Sequence, residues 1–181
     1  TRLGALQTAA NNFIDGVAAS AKKTGADHRI AIVGFAGDGN EYGKGKDYQG
    51  KYMNTELFIG SNQYNYGGNN RGNGSNQATA ANTQYGNALQ SVKTQKNTID
   101  ESIKNLAANG GTYPQYGLEM ANGIFNAYKN KNDDTYQKED GTTEKRNKIV
   151  VVFTDGAPGE LGNTKFDTSV ANSALSQAKS I

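Results

Sequence analysis

The sequence KIVVVFTDGAPGE, residues 148–160, decides the predicted fold. Its five consecutive apolar residues, 149–153, are called the C-terminal run. Such a run is typical of a parallel strand buried on both faces, and the TDG after it predicts a turn. Ligands of open α/β sheets bind beyond the carboxyl ends of the strands, so Asp155 is a candidate functional residue. The alternative is that Asp155 is an ordinary turn residue ahead of a glycine.

Length and composition indicate one domain with a limited core. The chain has 181 residues, of which 35% are hydrophobic and 23 are glycine. The formal net charge of +2 comes without a basic cluster that would indicate a nucleic-acid or anionic-membrane partner. The absence of cysteine excludes disulfides, thiolate metal ligands and cysteine nucleophiles. No stretch of the sequence is apolar over the roughly 18 residues that a membrane span requires.

A second buried strand and several helices are predicted around the C-terminal run. Apolar residues recur at three- and four-residue intervals from position 3 to 23, which predicts an amphipathic helix ended by Gly25. Residues 30–35, IAIVGF, called the N-terminal run, predict the second strand. Further helices are predicted after Thr98 as N-cap, after Thr112, and from about Thr168. Strands and helices alternate, so we predict an α/β fold with a mainly parallel sheet.

Two polar regions interrupt this pattern. Residues 38–95 are rich in Gly, Asn and Tyr, and we predict an insertion carried on the sheet edge, with an edge strand within 52–59. Residues 130–147 are charged and polar, which predicts a surface connection.

Thr112 ends the sequence NGGT and precedes a predicted helix with Pro114 in its first turn. The buried face of this helix is predicted to contain Leu118, Ala121, Ile124, Phe125 and Tyr128. Thr112 can serve as the N-cap, which gives it a structural explanation. A functional hydroxyl is the other interpretation of Thr112.

Taken in order, these features resemble a von Willebrand factor type A domain, especially those of Gram-positive surface proteins and pilus-tip adhesins. The resemblance rests on a helix RLGALQTAANNFID, a strand HRIAIVGFA, the turn NGGT followed by YGLEMA, and the strand IVVVFTDG. It covers the chain except for much of 38–95 and the connection 130–147. It implies a Rossmann-like, open, mainly parallel sheet with helices on both faces.

The resemblance also implies a metal-ion-dependent adhesion site at the carboxyl edge of the sheet. In the family, a D-x-S-x-S loop, a threonine loop and an aspartate loop meet there. Thr112 matches the threonine and Asp155 the aspartate, while Gly111 and Gly156 would let the backbone approach the metal. Hydroxyl and carboxylate oxygens suit Mg²⁺, or Mn²⁺ or Ca²⁺, and a partner's carboxylate would complete the coordination. This is binding chemistry, so no enzymatic activity is expected.

The chain departs from the family pattern at both ends. The D-x-S-x-S loop and the central first strand should precede the helix that begins near Leu3, and the last strands should follow the helix at 168–181. We therefore expect residues 1–181 to be a partial domain that is completed by the remaining segments of its parent protein. Alone, this chain is expected to bind Mg²⁺ poorly, because it has only two of the metal-ligating side chains.

Three functions remain open from the sequence. The first is an extracellular adhesion domain of the cell wall or a pilus, which binds a host or extracellular-matrix protein through a carboxylate on Mg²⁺. The second is a structural pilin or scaffold domain without metal-dependent binding. The third, an α/β hydrolase or phosphatase acting through Asp155, has the least support because FTDG supplies neither a second carboxylate nor a phosphate-binding loop.

Overall fold

The computed structural model describes residues 1–38, 54–66, 81–107, 111–131, 133–154, 156–159 and 165–181. Five α-helices are found there: α1 (Arg2–Thr24), α2 (Ala81–Gln84), α3 (Lys96–Lys104), α4 (Pro114–Asn130) and α5 (Thr168–Ser180). A short 3-10 helix, Tyr85–Asn87, follows α2. The strands are β1 (Arg29–Ile30), β2 (Ile32–Asp38), β3 (Asn54–Ile59), β4 (Asn62–Asn65), β5 (Gln90–Ser91), β6 (Thr135–Gln137) and β7 (Thr143–Lys145). In the described residues, no helix is both long enough and apolar enough to cross a membrane.

Helix α1 confirms the prediction from apolar periodicity. The Thr1 hydroxyl accepts a hydrogen bond from the Gly4 amide at 3.1 Å and caps the first turn. Gly25 ends the helix with φ of 74°, a left-handed conformation that glycine adopts without a steric cost. The buried side chains Ala10, Ile14 and Ala21 pack in one cluster with Ile99 and Ile103 of α3.

The predicted mainly parallel sheet is wrong. Every strand pair in the described part of the chain is antiparallel: β2 with β3, β3 with β4, β1 with β5, and β6 with β7. The mixture of helices and small antiparallel sheets fits the α/β class only in its general sense. An apolar run predicts a buried strand, and it does not specify the direction of the neighbouring strand.

The N-terminal run forms strand structure, with β1 and β2 separated at Ala31. β2 pairs with β3 through Ile32 opposite Phe58 and Val33 opposite Leu57. Alternate residues of the run face opposite sides. Ile30 and Ile32 pack against the cluster of α1 and α3, whereas Ala31 and Val33 pack against a cluster that contains Leu57 and the α4 residues Met120, Ile124 and Tyr128.

The C-terminal run is not the buried strand that its sequence predicts. No strand is assigned to residues 148–154, and the five apolar side chains are 37% to 74% exposed. The reason lies in the surroundings. Among the described residues, no strand lies beside this segment, so its backbone has no ladder partner and its side chains remain at the surface of an open groove.

The N-caps of α3 and α4 differ from the residues named for them in the sequence, Thr98 and Thr112. Helix α3 begins at Lys96 with Gln95 as N-cap, so Thr98 lies inside the helix. Helix α4 begins at Pro114 with Tyr113 as N-cap and no side-chain capping bond, so Thr112 is not the cap. Helix α5 begins as predicted, at Thr168, where the Asp167 carboxylate accepts hydrogen bonds from the Ser169 and Val170 amides at 2.8 and 3.1 Å.

Charged side chains connect the two apolar runs at their amino ends. Arg146, two residues before Lys148, donates to the Asp27 carboxylate at 2.8 Å and to the Asp27 carbonyl. Arg29 donates to the same carboxylate at 2.9 Å and to Asp133. Burial by itself would raise the pKa of Asp27, but hydrogen bonds from Arg146, Ser91 and Arg29 outweigh it and lower this pKa.

Candidate metal centre

Backbone hydrogen bonds join the loop before α4 to the loop after the C-terminal run. The Thr112 amide donates to the Gly159 carbonyl at 2.9 Å, and the Gly159 amide donates to the Thr112 carbonyl at 3.0 Å. The two residues form an isolated antiparallel bridge. This bridge fixes the distance between two loops that are more than forty residues apart in sequence.

The Thr112 hydroxyl points toward the second of these loops. A Cβ atom placed on Gly156 would lie 2.9 Å from the Thr112 hydroxyl oxygen, which is closer than a real Cβ contact. The hydroxyl can occupy this position because residue 156 is glycine. Gly156 is the residue after Asp155 in the sequence.

Hydrogen bonds engage the described residues on both sides of position 155. The Thr154 hydroxyl accepts from the Gly156 amide and donates to the Gly156 carbonyl, each at 3.3 Å. Further along, the Asp167 amide donates to the Pro158 carbonyl at 2.9 Å. The loop therefore closes onto the start of α5, where the Asp167 side chain is already engaged as the N-cap.

Thr112, Gly111 and Gly156 are therefore in the part of the chain that the structure describes, and Thr112 and Gly156 lie against each other. Asp155 lies outside the described residues, so the predicted pairing of Thr112 with Asp155 on one metal stays a prediction. Within those same described ranges, no three His, Cys, Asp or Glu side chains gather into a group that could hold a metal ion.

The oxygen atoms of Thr112 and Asp155 are ligands of the type that a hard divalent cation prefers. Thr112 contributes a neutral hydroxyl oxygen beside a glycine that leaves it room, and Asp155 would add a carboxylate oxygen from the next residue in the loop. Mg²⁺ is commonly bound by one or two carboxylates together with retained waters. The two residues could thus contribute oxygen ligands to such an ion.

A row of tyrosines next to this loop was not predicted. The rings of Tyr113 and Tyr116 stack with centroids 5.8 Å apart, and Tyr66 lies 5.1 Å from Tyr116. The Tyr66 hydroxyl donates to the Glu119 carboxylate at 2.5 Å. Burial and this carboxylate both raise the pKa of Tyr66, so the phenol stays neutral. The sequence signal is a pair of tyrosines on both sides of Pro114, which is too common to indicate a site.

Sequence analysis also missed Thr154 and Gly159, which shape the loop after the C-terminal run. Thr154 belongs to the TDG turn, so its position was a usable signal. Gly159 has a positive φ of 157°, and its backbone hydrogen-bonds to Thr112. Comparison of the chain with protein-family models, with curated proteins and with solved structures gave no match.

Proposed function

We propose that this chain belongs to a cell-surface adhesion domain that binds a protein ligand through a divalent cation held by Thr112 and Asp155. The position of the Thr112 hydroxyl is the observation that supports this function. A role as N-cap of α4 would have explained Thr112 structurally, but Tyr113 occupies the N-cap position. The hydroxyl lies against Gly156, at the loop that contains the candidate carboxylate.

The neighbouring residues would serve the ion in a supporting role. The backbone bridge from Thr112 to Gly159 keeps the hydroxyl at the loop without the help of a metal, so the ligand geometry would be preorganised. Gly111 and Gly156 carry no side chain, so they would let the backbone approach the ion. A bound Mg²⁺ would supply an open coordination position, which a carboxylate of the partner could fill.

The proposed partner is a host or extracellular-matrix protein that presents such a carboxylate. The remaining segments of the parent protein would supply further metal ligands, and the proposed location is the cell wall or a pilus. Two side chains make a weak site, so residues 1–181 alone should bind the cation with low affinity. The experiment must therefore detect weak binding.

Paramagnetic broadening by Mn²⁺ meets this requirement. In an NMR titration of residues 1–181, we expect Mn²⁺ to broaden the amide signals of 111–113 and 156–159 before those of other loops. Thr112→Ala and Asp155→Ala should each remove this local broadening, and Thr112→Ser should restore it because serine keeps the hydroxyl. Excess Mg²⁺ should compete with Mn²⁺ and sharpen the same signals.

The matched controls are Thr8→Ala and Asp140→Ala, which change an exposed helix threonine and an aspartate in the turn between β6 and β7. Both should leave the broadening near residues 112 and 156 unchanged. Broadening that survives in Thr112→Ala and Asp155→Ala would contradict the metal site. A folded chain whose loops show no response to Mn²⁺ would favour the scaffold function.

A further inference from the structure

Glu119 is an exposed glutamate of α4 that has no basic partner in the described part of the chain. It is the one charged residue in the stretch 114–128. The next basic residues along the chain, Lys129 and Lys131, lie ten or more residues away, roughly 15 Å along the helix axis. None of the ion pairs among the described residues includes Glu119. Its charge is therefore uncompensated within these residues.

The Tyr66 hydroxyl holds the Glu119 carboxylate in position. It donates to Glu119 Oε2 at 2.5 Å, and the Tyr66 ring lies against Tyr116 with a centroid distance of 5.1 Å. Burial and the Glu119 carboxylate raise the pKa of Tyr66, so its hydroxyl remains a donor at neutral pH. No hydrogen bond to Glu119 Oε1 is found among the described residues, so this oxygen can accept from another donor.

A second half-buried tyrosine, Tyr85, lies one helical turn further along α4. Its ring packs against Gly123, where a Cβ atom would lie 2.4 Å from Tyr85 Cε2. Only a residue without a side chain leaves room for the ring in this position. Burial and the charge of Glu119 raise the pKa of Tyr85, which agrees with a position near the carboxylate.

Tyr66 and Tyr85 therefore lie on the two sides of Glu119 along α4. Tyr116 and Glu119 are three residues apart and Glu119 and Gly123 are four apart, so these positions share one face of the helix. We call Tyr66, Tyr85, Tyr116 and Glu119 the tyrosine site. The faces of aromatic rings attract cations, as a carboxylate does. The tyrosine site is thus complementary in charge to a cationic group.

Arginine is the cationic side chain that fits this arrangement best. Its planar guanidinium can stack on a tyrosine ring while its N–H groups donate to a carboxylate in the same plane. The ammonium of lysine is more strongly hydrated and has no flat face to stack. Because Tyr66 already fixes Glu119, little side-chain freedom of the glutamate would be lost on binding.

We propose that the tyrosine site binds an arginine side chain of a protein partner, with the guanidinium paired to Glu119 and stacked on the ring of Tyr66 or Tyr85. A neutral sugar could also stack on these rings, but it would leave the carboxylate charge uncompensated. Binding of arginine at this site requires no metal ion, so it is independent of the proposed adhesion site at Thr112.

The probe is N-acetyl-arginine N-methylamide, added to residues 1–181 in the presence of EDTA. We expect saturable shifts of the NMR amide signals of Tyr66, Glu119 and Gly123, with a dissociation constant on the order of millimolar for a single side chain. The citrulline derivative has nearly the same shape without the charge and should cause no saturable shift. The lysine derivative should bind about threefold more weakly or worse. Added NaCl should weaken the binding of arginine.

Variants of the protein test the location. Glu119→Gln keeps an acceptor for Tyr66 but removes the charge, and it should weaken binding about tenfold or more. Gly123→Ala should displace the Tyr85 ring and weaken binding about twofold or more, while alanine favours the helix. The matched control is Glu101→Gln, an exposed glutamate of α3 beside Gly60, at the far end of β4 from Tyr66. It should leave the affinity within about twofold, and circular dichroism checks that each variant is folded.

An arginine of the chain itself is the alternative occupant. Arg71 follows Tyr66 by five residues in the sequence and lies outside the described residues. If the occupant comes from a partner, Arg71→Gln should leave the affinity for the arginine derivative within about twofold. An affinity that rises about tenfold in Arg71→Gln would overturn the proposal, since Arg71 would then compete for the site.

Four further results would contradict arginine binding by a partner. They are the absence of saturable shifts, equal shifts with the citrulline derivative, equal affinity for the lysine derivative, and binding that survives unchanged in Glu119→Gln. Shifts of the same signals by cellotriose in place of the arginine derivative would indicate a carbohydrate site instead. Because the titration contains EDTA, its failure leaves the metal-dependent adhesion site untouched, and loss of the Mn²⁺ response leaves the tyrosine site untouched.

Discussion

The N-terminal run and the C-terminal run have nearly the same kind of sequence and very different surroundings. Residues 30–35 are half-buried, and most of them are paired in strands. Residues 149–153 are more apolar, yet they are unpaired and 37% to 74% exposed. The difference comes from the neighbour: β3 lies beside the first run, and no described strand lies beside the second.

This comparison shows that apolar sequence alone does not make a strand. Ladder hydrogen bonds require a second backbone, and burial requires a surface on the other side. The N-terminal run obtains both from the β3 hairpin, through contacts such as Val33 with Leu57. Lys148, just before the C-terminal run, has its ammonium 5.5 Å from the ring of Phe125 in α4. Among the described residues the run itself has no partner strand.

The largest loss of stability is expected from a change in β3, the strand that pairs with the N-terminal run. Leu57 of β3 is fully buried, with 0% exposure, in the cluster with Met120 and Ile124. Leu57→Ala should lower the free energy of unfolding by about 2–5 kcal/mol, because it removes buried methyl groups and leaves a cavity. Urea unfolding followed by circular dichroism measures this loss.

The matched change in the other region is Val151→Ala, at a side chain that is 49% exposed. It should lower the free energy of unfolding by less than about 1 kcal/mol, because little apolar area returns to water. Equal losses for Leu57→Ala and Val151→Ala would show that the C-terminal run is packed as tightly in solution as the N-terminal run. The contrast between the two regions would then be wrong.

How far the sequence could predict this structure follows from the same argument. Helices α1 and α5 were predictable because periodicity and end residues such as Gly25 are local signals. The antiparallel pairing of β2 and the exposure of the C-terminal run depend on which segment lies alongside, and an apolar run does not encode this. At the candidate site, family likeness led to Thr112 and Gly156, which do lie together. The tyrosine row had no comparable signal.

A smaller effect should come from the carboxyl group that β3 brings opposite Gly34 of the N-terminal run. Burial raises the pKa of Glu56 from 4.5 to about 7. With a raised pKa, the folded state binds more protons than the unfolded state between these values, so stability should fall as pH rises from about 4.5 to about 7 and remain lower above it. Glu56→Gln should remove this slope and stabilise the protein at pH 8 by about 1–2 kcal/mol.

Thermal unfolding from pH 4 to pH 8 checks this expectation. The control is Glu139→Gln, at an exposed position in the turn between β6 and β7, which should keep the slope of the unchanged protein. The stability that Glu56→Gln gains over the unchanged protein should be larger at pH 8 than at pH 4. An equal gain at both pH values would mean that the Glu56 carboxyl group is solvated and that its ionisation does not destabilise the fold.

The smallest effect concerns the contact that ties the two runs together. Hydrogen bonds from Arg146, Ser91 and Arg29 lower the pKa of Asp27 despite its burial. The contribution of Asp27 to stability should therefore be present above its ordinary pKa of 3.8 and be lost as pH falls through the lower folded value. Asp27→Asn should cost about 0.5–1 kcal/mol at pH 7, since the pair is partly solvated, and progressively less below pH 3.8.

Arg146→Gln removes the Arg146 partner of the same ion pair, just ahead of the C-terminal run. It should lower the free energy of unfolding at pH 7 by a similar amount. The double variant should lose less than the sum of the two single losses, because both changes break one interaction. The control is Lys138→Gln, which breaks the exposed pair with Glu144 and should be additive with Asp27→Asn, because the two pairs share no partner. Additive losses for Asp27→Asn and Arg146→Gln would mean that Asp27 and Arg146 act separately.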